Sequence, residues 1–152
     1  MENNEFKRLL NKIACSQGFK TAFGGWFKES KDCIMVLELQ KSNFGNYYYL
    51  NIKIFVNGLF NESYQVNKDL ITKNVSPILS GVPKDYEFIF NLESQLKATE
   101  RAQQLEGMFH NFMVPFAEKA LNLKKIMELV QDGCLYIPQD IVKELEVLQM
   151  NN

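Results

Sequence analysis

At 152 residues the chain has the length of one domain, enough to bury roughly 68–70% of its unfolded surface without disulfides or metal. Its 46% hydrophobic and 23% charged residues are ordinary for a globular chain, and no stretch approaches the roughly 20 apolar residues that span a bilayer. A net charge of −1 and a pI near 5.9 exclude a general attraction to nucleic acid or anionic membranes.

Cys15, Cys33 and Cys134 make an odd set at unpatterned spacings, which argues against a disulfide framework. The N-terminal residues show neither an apolar signal core nor a cleavage pattern, so the expected location is the cytoplasm. The whole chain, 1–152, is expected to form a single domain: a helix over 4–16, a sheet within 19–92 interrupted by an irregular insertion at 59–86, and helices over 94–149.

In chain order, Phe6, Leu9, Leu10 and Ile13 follow the i, i+3, i+4, i+7 stripe of a helix. Asn3 or Asn4 suits its start and Gly18 the C′ position. From Phe19 to Lys28 the alternation is looser, and Gly24-Gly25 predicts a bulge or bend. Trp26, the sole tryptophan, reads as a core or half-buried sheet residue, with a ligand platform as the alternative.

The stretch from Cys33 to Gly58 reads as two long strands. Cys33, Met35, Leu37 and Leu39 fall on one face of the first, and Tyr48, Leu50, Ile52, Ile54 and Val56 on one face of the second. Pairing Leu39 with Leu50, Leu37 with Ile52 and Met35 with Ile54 puts both apolar sets on one side, and a slip of one residue would turn one set to water. This register leaves Asn43-Phe44-Gly45-Asn46 as a loop closed by Ser42 and Tyr47, with Gly or Asn supplying a positive φ. The opposite face places Gln40 beside Tyr49 and Glu38 beside Asn51, with Lys53 on the diagonal from Glu38. Such a polar ladder is ordinarily a solvated face; the alternative is a recognition face built on Gln40, Asn51 and the tyrosines.

Residues 57–85 read as irregular, with a helical turn at Asp69–Asn74 or Ser76–Leu79 and Leu59-Phe60 packing down. Phe88, Phe90 and Leu92 alternate as in a fourth strand over Glu87–Leu92. Ser94 is placed to cap a long helix with the stripe Ala98, Ala102, Leu105, Phe109, Phe112 and Phe116, which Pro115 ends or kinks. A further segment runs to Asp132-Gly133, with Asn122 a candidate cap. Pro138 opens a last helix with Ile141, Leu145 and Leu148 inward. The fold class expected is α+β: an antiparallel meander of about four strands, an N-terminal helix and a C-terminal run of helices packed mainly on one face.

The run Leu39-Gln-Lys-Ser-Asn-Phe-Gly45, followed by Tyr47-Tyr-Tyr-Leu-Asn-Ile52, resembles a bacterial family catalogued as domain of unknown function 4304. Gly18-Phe19, Gln40-Lys41-Ser42, Tyr48 to Asn51 and Val114-Pro115-Phe116 match its pattern in order. The resemblance implies the fold and a bacterial origin but no activity. The middle segment departs: where relatives carry a Cys-His-x-Arg-like stretch, this chain has Asn67-Lys-Asp-Leu-Ile-Thr72, so no role of that stretch carries over.

No motif brings catalytic chemistry. His110, the sole histidine, falls on a helix surface without ligand-spaced partners, so neither a tight metal site nor a Ser/His/Asp arrangement is expected. Gly24-Gly25 lies in no phosphate-binding pattern, and no cofactor is expected. The carboxylates are scattered over helix faces and form no strand pair whose burial would plainly raise a pKa; Glu38 is the exception to note, and pairing with Lys53 makes it structural.

The first functional reading is a non-enzymatic module that binds another protein through the polar sheet face or the 59–86 loop, as immunity proteins bind toxins. Its candidate surface is Trp26, Glu38, Gln40, Ser42, Tyr47, Tyr49 and Asn51. A small-ligand pocket between sheet and helices lined by Trp26, Tyr47, Tyr49 and the 59–86 loop is the second reading, and an enzyme using Gln40, Ser42, Asn51 and Glu38 the least favoured.

Overall fold

The computed structural model describes residues 1–73 and 75–151. Its architecture is α+β, a five-stranded antiparallel meander in the order β1-β2-β3-β4-β5. The strands are β1 (Lys20–Ala22), β2 (Gly25–Glu29), β3 (Cys33–Lys41), β4 (Tyr48–Val56) and β5 (Ile78–Gly81). The register of β3 on β4 is the one the apolar pattern selects, with Leu39 opposite Leu50, Leu37 opposite Ile52 and Met35 opposite Ile54.

The fifth strand arises from two corrections to the expected elements. The segment 19–28 is two strands, because Ala22 pairs with Gly25 across a two-residue turn in which Phe23 (φ 49°) and Gly24 (φ 81°) are both left-handed. Positive φ at both central positions is the hairpin turn whose twist matches the strands it joins. Glu87–Leu92 is not a strand: Lys84–Phe90 forms a 3₁₀ helix, and the ladder is extended there only by a bridge between Tyr47 and Asn91. The strand beside β4 is instead β5, within the stretch expected to be irregular, with Ile78 opposite Ile54 and Gly81 opposite Asn51. Pro77 just before it fits an edge strand, where no ladder partner needs the missing N–H.

Helix α1 (Asn3–Ser16) ends at Gly18 (φ 91°) as expected. Its start is set by Glu2 rather than Asn3 or Asn4, because the Glu2 and Glu5 side chains form a reciprocal capping box, with the Glu2 amide donating to Glu5 Oε2 at 3.2 Å. Phe6, Leu10 and Ile13 are buried against the inner sheet face, where Phe6 stacks on Tyr48 at 5.8 Å.

The C-terminal helices complete this core. They are α3 (Ala98–Met108), a π-helical turn (Phe109–Met113), α4 (Val114–Ala120), α5 (Ile126–Gln131) and α6 (Gln139–Met150). Helical geometry runs through Pro115 without a break. The π turn just upstream absorbs the lost hydrogen bond and keeps Leu105, Met108, Phe109, Met113 and Ala117 all inward. Ser94 caps no helix. Lys97 is the N-cap, and Ser94 donates to the Asn91 carbonyl at 2.9 Å. At Asn122, Oδ1 accepts from Lys124 N at 2.9 Å, and Gly133 (φ 75°) ends α5 as expected.

The outer sheet face is not uniformly solvated. Helix α2 (Lys68–Thr72), capped by Asn67 Oδ1 accepting from Leu70 N at 2.8 Å, lies over one half. It is the helical turn expected from Asp69; Asn74, the expected end, lies outside the described residues. Ile71 joins Ile34, Val36 and Phe55 in a second, smaller core, flanked by Phe27, Tyr64, Val66 and Leu70. Leu59 is buried as expected, while Phe60, in a left-handed conformation (φ 52°), stays half exposed.

Candidate functional site

Lys53 marks where the covered half of the outer face ends. Its side chain is fully buried, and Nζ donates to the carbonyls of Ile71 at 2.6 Å and Lys73 at 2.8 Å. It thus closes the C-terminus of α2, with Glu38 Oε2 3.7 Å away. Burial pushes its pKa below the ordinary lysine value, and the Glu38 carboxylate works against that shift. Asn51 Nδ2 donates to Gln40 Oε1 at 2.9 Å and to Glu38 Oε1 at 3.4 Å. Glu38, Gln40 and Asn51 are therefore one bonded polar ladder anchored on a buried ammonium.

Beyond that ladder the face is open. Tyr47 and Tyr49 stand edge to face with ring centroids 5.8 Å apart. Hydrogen bonding to Tyr47 is the first cause raising the Tyr49 phenol pKa; desolvation and the Tyr47 and Glu87 charges add to it, and a hydrogen bond with Ser42 opposes it. Together with Tyr48, Glu87, Phe88 and Asn91 the two tyrosines line a recess of about 280 Å³. A smaller one of about 120 Å³ continues from Tyr49 and Glu87 past Asn51 to Gly81 and Val82. Tyr49 and Phe88 remain 48% and 44% exposed, and Phe44 at the tip of the adjoining loop is 90% exposed.

The recess is held by its surroundings. The Ser42 amide donates to the Tyr47 carbonyl at 2.9 Å, which closes the Asn43–Asn46 loop as expected. None of those four residues has a positive φ. Gly45 is needed for space instead: a Cβ there would meet the Tyr47 ring at 2.9 Å and Glu93 Oε1 at 3.0 Å. Glu93 in turn accepts from Asn46 N at 2.9 Å. Below, Arg101 is fully buried and donates to the carbonyls of Ile89 and Asn91 and to Ser94 Oγ, tying down the C-terminal end of the 3₁₀ helix that carries Glu87 and Phe88. Burial lowers its pKa.

The seven residues singled out from the sequence divide. Tyr47 and Tyr49 line the recess, Asn51 its continuation, and Gln40 and Glu38 the adjoining ladder. Ser42 is buried beneath, its Oγ accepting from Phe44 N at 3.0 Å. Trp26 lies on the other face, opposite Leu37 in the core, its Nε1 donating to Asn11 Oδ1 at 2.9 Å. Sequence reasoning missed Glu87 and Phe88, read there as a strand, and Arg101, which had a signal: four residues before Leu105, it shares the inner face of the helix. His110 is exposed. Cys33 is buried, with its thiol pKa pushed up to about 12 chiefly by that burial.

Other recesses are less suited to recognition. One of about 290 Å³ between the β2–β3 turn and residues 121–124 has polar groups that already bond one another, Ser30 Oγ to Leu121 O and Gln149 Nε2 to Leu123 O, both at 2.6 Å. Another, against Phe112 and Phe116, has its lysine, Lys119, paired with Glu128 and Asp132 at 3.4 Å. Among the described residues no group of three or more His, Cys, Asp and Glu is arranged to hold a metal ion, and no helix is long and apolar enough to cross a membrane.

These features belong to an α+β protein with a half-covered sheet face. The family model described as a domain of unknown function (DUF4304) matches residues 10–119, more than half of the chain, and the chain belongs to that family. The match takes in the second half of α1, the whole sheet and the recess. Comparisons with curated proteins and with solved structures each returned no match.

Proposed function

We propose that this is a non-enzymatic protein-binding module that meets its partner through the open half of the outer sheet face. The observation that carries the reading is the cluster of Tyr47, Tyr49 and Phe88 around an open recess, with Phe44 exposed beside it. Tyrosines combine apolar contact area with hydrogen-bonding capacity at little entropic cost, the chemistry enriched in interface centres. The recess falls at or below the roughly 300–1,000 Å³ of ligand pockets, which favours a side chain over an enclosed metabolite. The candidate catalytic groups favour the same reading, since Glu38 is committed to Lys53 and Asn51, and Ser42 is buried. Immunity-type proteins are one instance of the class.

The test is affinity capture from a lysate of the organism of origin with wild-type protein and the Tyr47→Ala/Tyr49→Ala variant. The expected result is a partner retained by wild type and lost from the variant, with thermal unfolding of the two within a few degrees. An unchanged partner profile removes the sheet-face reading.

A further inference from the structure

Resting on that docking reading, we infer that the recess selects a positive charge: the group it takes is a lysine or arginine side chain on an extended segment of the partner protein. Four aromatic residues, Tyr47, Tyr48, Tyr49 and Phe88, share the lining with one carboxylate, Glu87, and with Asn91, and no lysine or arginine lines the cavity. Aromatic faces attract cations through their quadrupoles, and a carboxylate at the rim adds a full opposite charge. Glu87 is exposed and takes part in no ion pair among the described residues.

Two of the chain's own cations are committed elsewhere: Lys53 Nζ is bonded to the end of α2, and Arg101 is bonded below the 3₁₀ helix. A third, Lys7, stands 6.0 Å from the ring of Tyr48, itself a lining residue of the recess, so a cation is already drawn to this aromatic group from the inner side. An extended segment fits better than a free small cation, because the smaller recess continues from Tyr49 and Glu87 to Gly81, the last residue of β5, and Val82. Among the described residues that strand pairs only with β4, and its other edge has no strand partner.

The experiment titrates isotope-labelled protein with acetyl-Gly-Arg-Gly-amide and with its citrulline counterpart, which keeps the shape and loses the charge. The arginine peptide is expected to shift the amide signals of residues 47–51 and 87–91, with the citrulline peptide about tenfold weaker. Glu87→Gln is expected to weaken the arginine peptide about threefold or more and to flatten its salt dependence, leaving the remaining spectrum in place. Equal binding of the two peptides, an unaffected Glu87→Gln variant, or no shift around the recess overturns the inference. If the tyrosine variant still loses its partner, the docking reading survives that failure. Conversely, arginine selectivity with an unchanged partner profile sinks the docking reading and leaves the cation site.

Discussion

A lysine ammonium with no exposure is costly to bury, and Lys53 shows what offsets that cost here. Two main-chain carbonyls and a carboxylate surround it, and the carbonyls belong to the end of α2, whose last turn would otherwise leave them without donors. Lys53→Met keeps the stem's volume and removes the donors, so it should cost about 1–3 kcal/mol in urea denaturation, the penalty for orphaned buried polar groups. The pH dependence has a definite sign. Burial sets the folded pKa below the ordinary 10.5 of the unfolded chain, so between those values the unfolded chain binds more protons. Wild type should therefore gain stability as the pH rises through the folded pKa towards 10.5, and the Met variant should lack that gain. A difference between the two that stays flat from neutral pH to 10.5 contradicts this account of Lys53.

At the scale of elements, α2 divides the outer face into a closed and an open half, and its seat is set by one glycine. A Cβ on Gly25 would meet Ile71 Cγ2 at 2.8 Å and the Leu37 carbonyl at 2.9 Å. The first contact is a side-chain tip that can turn aside, but the second is backbone in the sheet. Gly25→Ala should therefore strain β2 against β3, disturb the seat of Ile71 and cost about 1–3 kcal/mol, as overpacking usually does. Hydrogen exchange checks it: protection should fall in residues 64–73 and in β2 while the β3–β4 ladder keeps its own, and uniform loss across the sheet contradicts the local account. The 3₁₀ helix Lys84–Phe90 plays the matching part on the open half, fixed from beneath by Arg101.

For the whole molecule, the β3–β4 hairpin was legible to the residue, because a period of two with one buried face leaves a single register that keeps Leu37, Leu39, Leu50 and Ile52 dry. Short elements were not. Phe88, Phe90 and Leu92 alternate as a strand does, yet Ile89, Phe90 and Leu92 are the buried ones, and Pro83 followed by Asp85 and Glu87 marked a helical start instead. The turn at Phe23-Gly24 hid because an aromatic residue rarely adopts positive φ. Of the site, Tyr47, Tyr49 and Asn51 were readable from the strand pattern. Glu87 and Phe88 were not, since only the tertiary return of the chain beside Tyr47 brings them there.

On the proposed reading, the partner sits on the open half of the outer face. Photo-crosslinking in the organism of origin checks this, with p-benzoylphenylalanine placed singly at Phe88 beside the recess and at two other exposed positions, Phe60 and Tyr136. The account predicts a discrete adduct from position 88 that disappears when Tyr47→Ala/Tyr49→Ala is added, and none from 60 or 136. A discrete adduct from position 60 or 136 with none from 88 would contradict it.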